Sequence, residues 1–107
     1  MKSKPVAVPI THNVKLQRFE LSAGDAPLAF LSYQREDGRV ILDHTFVSDE
    51  LRGRGLAANL VRAALNEAQK NHWRIVPRCT FVAKFIERHP EFADLVEQPN
   101  LKPSPTN

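Results

Sequence analysis

The spacing of the apolar residues changes at the tetrapeptide Arg52–Gly55, and this change limits the fold more than any other feature of the chain. Before it, apolar and polar residues alternate with the period of two that is typical of strands. After it, apolar residues recur at helical spacing: Leu56, Ala57, Leu60, Val61, Ala64, Leu65 and Ala68. A strand therefore leads through a short glycine-containing loop into an amphipathic helix, which predicts a fold that contains both strands and helices.

Three strand candidates precede this loop, at residues 14–21, 28–35 and 39–47. A turn cluster at residues 22–25 separates the first two, and Asp37-Gly38 is a strong signal for a type I′ hairpin between the second and third. Short turns between consecutive strands predict an antiparallel meander. Strict alternation along the third strand places Val40, Leu42, His44 and Phe46 on one face, and Ile41, Asp43, Thr45 and Val47 on the other.

The segment after the first helix repeats the order of strand and helix. Asn71 is expected to end the first helix in a left-handed conformation, and a short fourth strand follows at residues 73–78. Thr80 is expected to cap a second helix that Pro90 stops. The apolar stripe of this helix consists of Phe81, Val82, Phe85 and Ile86. Because the last strand must join a sheet covered by helices, the predicted class is α/β or α+β with a mixed sheet.

Length and composition predict one domain. The 107 residues suffice for one core, which we place at residues 13–97, between a flexible arm (1–12) and a disordered proline-rich tail (98–107). The lone Cys79 excludes an internal disulfide framework and, with only four histidines, argues against a structural zinc site, so no metal is expected. No apolar run predicts a secretory leader or a membrane span, which favours a cytoplasmic protein.

The charge balance argues against nucleic acid as a partner. Lysine and arginine number 15 against 12 aspartate and glutamate, a net charge of +3 without a clustered basic face. That excess suits a local anion site instead, and the loop at residues 49–57 has the composition for one. Two glycines let the backbone approach a ligand, the following helix directs unpaired N–H groups into the loop, and Arg52 and Arg54 add fork-shaped charges. The same residues also fit a plain strand-to-helix turn with two solvated arginines.

The loop resembles a known signature. Arg52, Gly55 and Ala57 match the Q/R-x-x-G-x-G/A pattern of the Gcn5-related N-acetyltransferases, after a strand and opening a helix. The chain is most similar to the short single-domain NATD1-type branch of that superfamily. The matching blocks are His44–Val47, Arg52–Gly55, Val76–Cys79 and Arg88–Phe92, in the order of the family. The resemblance covers residues 14–96 and implies a reduced acetyltransferase fold: a three-strand meander, a helix, a further strand and a C-terminal helix.

The resemblance also implies acetyl-coenzyme A as substrate and partner. Its pyrophosphate would lie on the main-chain amides of Arg52, Gly53, Arg54, Gly55, Leu56 and Ala57. Its pantetheine arm would pair with the strand that ends at Phe46 and Val47, and its thioester would lie where the fourth strand splays from its neighbour. The acceptor would be a primary amine, and the short connection at residues 22–27 suits a protein or peptide amine. The alternative is a non-catalytic module that binds coenzyme A or an acyl-coenzyme A.

Two residues are candidates for the chemical step. Cys79 stands between a strand and the start of a helix, whose dipole favours the thiolate, so it could accept the acetyl group; the alternative is a small buried apolar side chain. His44 precedes the loop and could act as general base, or it could be a hydrogen-bonded core histidine. His89 is expected to stabilise a helix end. The segment 80–92 lacks the tyrosine with which many relatives protonate the leaving thiolate.

Overall fold

The computed structural model describes residues 10–23 and 26–96. The predicted tail and most of the predicted N-terminal arm lie outside these residues. Within them the chain forms five strands, two α-helices and two 3₁₀ segments. In chain order these are β1 (Thr11–Asn13), β2 (Arg18–Ala23), β3 (Ala26–Glu36), β4 (Arg39–Val47), a 3₁₀ segment (Asp49–Leu51), α1 (Leu56–Asn71), β5 (Arg74–Pro77), α2 (Thr80–Arg88) and a second 3₁₀ segment (Pro90–Leu95).

The five strands form one mixed sheet in the order β1-β2-β3-β4-β5, as the predicted class requires. The pairs from β1 to β4 are antiparallel, whereas β4 and β5 run parallel, so α1 serves as the crossover connection between them. The hairpin between β3 and β4 has Asp37 and Gly38 at φ 55° and 80°, which confirms the predicted turn.

The prediction of a strand that begins at residue 14 is wrong. Residues 14–17 form a turn, because the Leu16 amide donates a hydrogen bond of 3.0 Å to the side chain of Asn13 and Gln17 takes φ 57°. This turn leaves residues 11–13 free to pair with β2 as an additional edge strand. Thr11 and His12, predicted as part of the arm, therefore belong to the sheet.

Helix α1 begins at the predicted residue but ends differently. The predicted stripe is confirmed, because Leu60, Val61, Ala64, Leu65 and Ala68 are all buried. The left-handed residue at the C-terminus is His72 and not Asn71. The side chain of Asn71 donates hydrogen bonds to the Glu67 carbonyl (3.0 Å) and carboxylate (2.9 Å), so this residue stays helical.

The core lies between the helices and one face of the sheet. Apolar residues of β2 to β5 contact α1, α2 and the second 3₁₀ segment in one cluster. Its largest fully buried side chains are Leu21, Leu31, Leu42, Leu60, Leu65 and Ile75. The predicted stripe of α2 is confirmed for Val82, Phe85 and Ile86, whereas Phe81 is 41% exposed.

A β-bulge in β4 changes which residues face the helices. Ser32 of β3 pairs with His44, and Tyr33 pairs with Leu42, so Asp43 is an extra residue. Its carboxylate accepts hydrogen bonds of 2.8 Å from the side chains of Ser32 and Gln34. After the bulge the alternation is inverted, and the prediction that His44 and Phe46 share a face with Leu42 is wrong.

Candidate functional site

A cavity of about 850 Å³ lies where β4 ends and the two helices approach each other. Its wall combines the end of β4, the loop before α1, the first two turns of α1 and one face of α2. The lining residues are Thr45, Val47, Leu51, Arg52, Gly53, Gly55, Leu56, Ala57, Ala58, Arg62, Phe81, Lys84, Phe85, Arg88 and His89. Five of the six residues whose amides were predicted to hold the pyrophosphate line this cavity: Arg52, Gly53, Gly55, Leu56 and Ala57. Of the predicted set, only Arg54 lies outside the lining.

The loop exposes main-chain donors because two glycines turn it in the left-handed region. Gly53 has φ 83° and Gly55, the N-cap of α1, has φ 77°. A Cβ built at either position would have no atom within 4 Å, so the space in front of the backbone is open. The N-cap has no side chain to satisfy the helix, and Asn59 donates the first hydrogen bond, to the Gly55 carbonyl at 3.1 Å. The amides of residues 56–58 are therefore left without an intrahelical acceptor.

The cavity carries positive charge and no carboxylate. Arg52, Arg62, Lys84 and Arg88 line it, and no aspartate or glutamate does. Arg52 also lies 3.2 Å from the Asp49 carboxylate, but both side chains are largely exposed. An exposed pair of this kind contributes little free energy, so the guanidinium of Arg52 can turn to another anion.

Strands β4 and β5 diverge at the floor of this region. Their pairing ends at Leu42 and Pro77, and the Cys79 amide then donates a hydrogen bond of 3.0 Å to the Leu42 carbonyl. Residues 43–47 of β4 have no strand partner on that side within the part of the chain that the structure describes. The edge therefore offers main-chain donors and acceptors to an extended ligand.

Cys79 lies at the point of divergence. It is the N-cap of α2, so the prediction that Thr80 caps this helix is wrong, and its side chain makes no capping hydrogen bond. The residue is half-buried, and its sulfur lies 3.8 Å from Oγ1 of Thr45, which lines the cavity. The thiol of Cys79 therefore contacts a residue of the cavity wall, although Cys79 itself is not part of the lining.

His44 and Phe46 lie on the opposite face of the sheet. Both are exposed, and both contact Phe30, at ring-centroid distances of 6.2 Å and 5.3 Å respectively. Val47, in contrast, lines the cavity. The structure brings Val47 together with the loop and leaves the imidazole of His44 on the other side of the sheet.

The tyrosine of the chain is also remote from the cavity lining. Tyr33 is 2% exposed and its hydroxyl lies 2.6 Å from Nε2 of His12, which stacks on Phe19 at 4.2 Å. Burial raises the pKa of Tyr33, with smaller opposing effects from Arg35. Burial likewise lowers the pKa of His12, which Glu67 partly offsets. This pair therefore supports the core rather than the cavity.

Several cavity residues were not singled out from the sequence. Thr45, and not His44, faces the cavity because of the bulge at Asp43, and the sequence composition gives no sign of a bulge. Arg62, Lys84 and Arg88 lie on two separate helices, and only the position of Arg88 in a family block pointed to it. His89 behaves as predicted: Nδ1 donates to the Phe85 carbonyl at 2.8 Å, while Nε2 accepts from Arg62 at 3.4 Å.

Residues 10–23 and 26–96 contain neither a membrane-spanning helix nor a cluster of metal ligands. None of the helices there has both the length and the apolar character that a membrane span requires. No group of three or more histidine, cysteine, aspartate or glutamate residues in that part converges as metal ligands would.

Comparisons with known proteins agree with this geometry. A family model described as GCN5-related N-acetyl-transferase matches residues 18–95. The chain is 36% identical to Protein NATD1 of Bos taurus over 63 residues, which cover 58% of this chain and 56% of that protein. It is 29% identical to Protein NATD1 of Gallus gallus over 85 residues, which cover 78% of this chain and 77% of that protein.

A solved structure shows the same fold. The NMR solution structure of a GCN5-like protein from Staphylococcus aureus superimposes with a TM-score of 0.67 at 26% sequence identity, over 84% of this chain and 88% of that one. The motifs predicted from the sequence, the family model and this neighbour agree. The chain therefore belongs to the GCN5-related N-acetyltransferase family, in its NATD1-type branch.

Proposed function

We propose that this protein binds acetyl-coenzyme A in the cavity and transfers the acetyl group to a primary amine, for which a protein or peptide amine is the best candidate. The observation that carries the proposal is the uncapped N-terminus of α1, which opens through Gly53 and Gly55 into a cavity lined by cations and no carboxylate. Its geometry suits a ligand with phosphates at one end.

The pyrophosphate would bind at the loop. The free amides of residues 56–58 and the positive end of the α1 dipole favour an anion in front of the helix. The guanidinium of Arg52 can add a charged hydrogen bond from the cavity wall. Arg54 is exposed outside the lining, so its main chain, rather than its guanidinium, would contribute.

The pantetheine arm would follow the open edge of β4. Its amides can pair with the main chain of residues 43–47 as an added strand would. Phe46 and Val47 would contribute through their backbone, and Val47 also through its side chain in the cavity wall. This proposed path leads from the loop to the divergence of β4 and β5, and it would bring the thioester beside Thr45 and Cys79.

Two routes of acetyl transfer are compatible with that placement. In the direct route, the neutral amine attacks the thioester carbonyl carbon, an N–C bond forms, the C–S bond breaks, and the amine proton passes to water as coenzyme A thiolate leaves. In the relayed route, the Cys79 thiolate attacks the thioester carbonyl carbon and releases coenzyme A thiolate. The amine then attacks the acetyl-cysteine: an N–C bond forms, the C–S bond to Cys79 breaks, the amine proton passes to water, and the Cys79 thiolate is regenerated. His44 receives no role in either route, because it lies on the other face of the sheet.

The acceptor site is open. Strands β2 and β3 are joined by two residues, so no helices build a closed pocket between them. An acceptor presented on a peptide can approach such a site without entering an enclosed pocket. This openness supports a protein or peptide amine.

The test compares two glycine variants by calorimetric titration with coenzyme A. Gly55→Ala adds a methyl group in front of the loop amides, whereas Gly38→Ala imposes the same left-handed strain (φ 77° against 80°) in a remote hairpin. Both should destabilise the fold by about 1 kcal/mol. Only Gly55→Ala should weaken coenzyme A binding, by about tenfold or more, a loss of about 1.4 kcal/mol. Absent binding to the unmodified chain, or equal affinities of the two variants, would refute the proposed site.

A second function, a non-catalytic coenzyme A-binding module, is favoured by the composition of the segment 80–92, which holds no tyrosine. Incubating the protein with acetyl-labelled acetyl-coenzyme A and a library of lysine and N-terminal amine peptides separates the two. Label on a peptide supports the transferase. Tight binding without any labelled peptide supports the module and contradicts the transfer step.

A further inference from the structure

Three cations line the cavity beyond the phosphate loop. Arg62 projects from α1, and Lys84 and Arg88 project from α2; all three are exposed. None of them forms an ion pair with a carboxylate among residues 10–23 and 26–96. The guanidinium of Arg62 lies 5.3 Å from the Phe85 ring centre and 3.4 Å from Nε2 of His89, so its contacts are with an aromatic ring and an imidazole rather than a carboxylate.

The two cations on α2 repel each other. Lys84 and Arg88 are four residues apart, so they are neighbours on one helix face, and like charges at this spacing destabilise a helix. Glu87 lies three residues after Lys84, but it forms no ion pair with Lys84 among the described residues and lines a separate cavity of about 290 Å³. An anion bound between α1 and α2 would remove this repulsion.

The diphosphate of the proposed substrate does not account for these charges. Along α1, Arg62 follows Gly55 by seven residues, which corresponds to a rise of roughly 10 Å. The loop amides, the helix dipole and Arg52 already complement two linked phosphates at the N-terminus. The cations farther along the helices therefore indicate a second anionic group on the same ligand.

Coenzyme A carries such a group, since its ribose bears a phosphate monoester on the 3′ oxygen. We propose that Arg62, Lys84 and Arg88 bind this 3′-phosphate and make the protein select coenzyme A over its 3′-dephospho form. The inference rests on the proposed function, because it presumes that the coenzyme occupies the cavity. A phosphate monoester carries close to two negative charges at neutral pH, and arginine forks match its oxygens.

The experiment titrates the full chain with coenzyme A and with 3′-dephospho-coenzyme A by calorimetry at one fixed salt concentration. Unmodified protein should bind coenzyme A about tenfold more tightly than the dephospho form. Lys84→Gln and Arg88→Gln should each reduce this preference toward equality and leave the affinity for dephospho-coenzyme A unchanged. These two residues make no side-chain hydrogen bond or ion pair with the described residues, so their variants should fold. Arg62→Gln should act in the same direction.

Lys70→Gln is the matched control, because Lys70 lies in the last turn of α1 and outside the cavity lining. Equal affinity of the unmodified protein for the two coenzymes would overturn the inference and leave the proposed function standing. A loss of preference in Lys70→Gln as large as in Arg88→Gln would also overturn it, since net charge would then explain the effect. If neither coenzyme binds, the proposed function fails and this inference fails with it.

Discussion

Cys79 caps α2 without making a capping hydrogen bond, so its sulfur is left to contact Thr45 at 3.8 Å. This contact lies where β4 and β5 diverge, at the proposed position of the thioester. For the relayed route we expect Cys79→Ser to lower the rate of acetyl transfer by about a hundredfold or more, because a hydroxyl without an adjacent base is a weak nucleophile. Coenzyme A affinity should change little, since the pyrophosphate is held at the loop.

Steady-state transfer to a labelled peptide measures this effect, and mass spectrometry of unmodified protein incubated with acetyl-coenzyme A alone should detect acetyl on Cys79. Thr80→Ser, in the first turn of the same helix, is the control. Unchanged turnover in Cys79→Ser would eliminate the relay and leave direct transfer, with Cys79 restricted to packing.

We expect the stability of the fold to depend on pH through His12. Burial lowers the pKa of this histidine, Glu67 raises it in part, and Arg35 lowers it further. The unfolded chain therefore binds a proton on His12 more readily than the folded chain does. The contribution of His12 to the free energy of unfolding is fully present above pH 6.5 and is lost as the pH falls below that value. The slope from this one group is at most about 1.4 kcal/mol per pH unit.

Urea unfolding of the unmodified chain and of His12→Gln between pH 5 and pH 7 measures that contribution. Glutamine keeps a hydrogen-bonding partner for the Tyr33 hydroxyl and cannot titrate. The variant should show a flatter dependence on pH. Identical slopes for the two proteins would mean that His12 does not contribute.

At the scale of elements, the two faces of β4 have separate roles. Phe46 is 38% exposed and packs on Phe30 on the face opposite the cavity. Phe46→Ala should therefore lower the free energy of unfolding by about 1 kcal/mol, the usual range for an aromatic pair. Its affinity for coenzyme A should remain that of the unmodified protein, because only its main chain would meet the ligand.

Denaturant unfolding and calorimetric titration of the same variant check both parts of this prediction. Leu56→Ala changes a residue of the cavity wall, so this variant, in contrast, should lose affinity for coenzyme A. A loss of coenzyme A affinity in Phe46→Ala as large as that in Gly55→Ala would contradict the assignment of the faces.

The same strand shows how far the sequence predicts the structure. The bounds of β4, the Asp37-Gly38 hairpin and the buried stripe of α1 follow from periodicity and turn chemistry, which are local properties. The bulge at Asp43 is not local, because its carboxylate is satisfied by Ser32 and Gln34 of a neighbouring strand. For that reason the loop at residues 52–57 could be predicted from the sequence to line the cavity, whereas Thr45 could not.

At the scale of the whole molecule, the cavity is a joint product of the sheet and both helices. Its wall includes residues from Thr45 to His89, so a ligand there contacts segments far apart in the chain and binds only the folded state. Coenzyme A at a hundred times its dissociation constant should stabilise the fold by about 2.7 kcal/mol. For a domain of this size the midpoint of thermal unfolding should rise by roughly 10–20 °C.

A thermal-shift titration measures this rise, and Gly55→Ala at the same coenzyme concentration should show a smaller one. Adenosine at equal concentration is the control, because it lacks every phosphate. An unchanged midpoint at saturating coenzyme A would contradict ligand binding to the folded chain.

The β-bulge at Asp43 determines which side chains at the end of β4 face the cavity. With Asp43 present, hydroxyl and aliphatic groups from Thr45 and Val47 meet the cavity. Were β4 to alternate regularly through this region without the bulge, His44 and Phe46 would face the cavity in place of Thr45 and Val47. The chemical groups that line this cavity are therefore set by the register of β4 as much as by the identities of its residues.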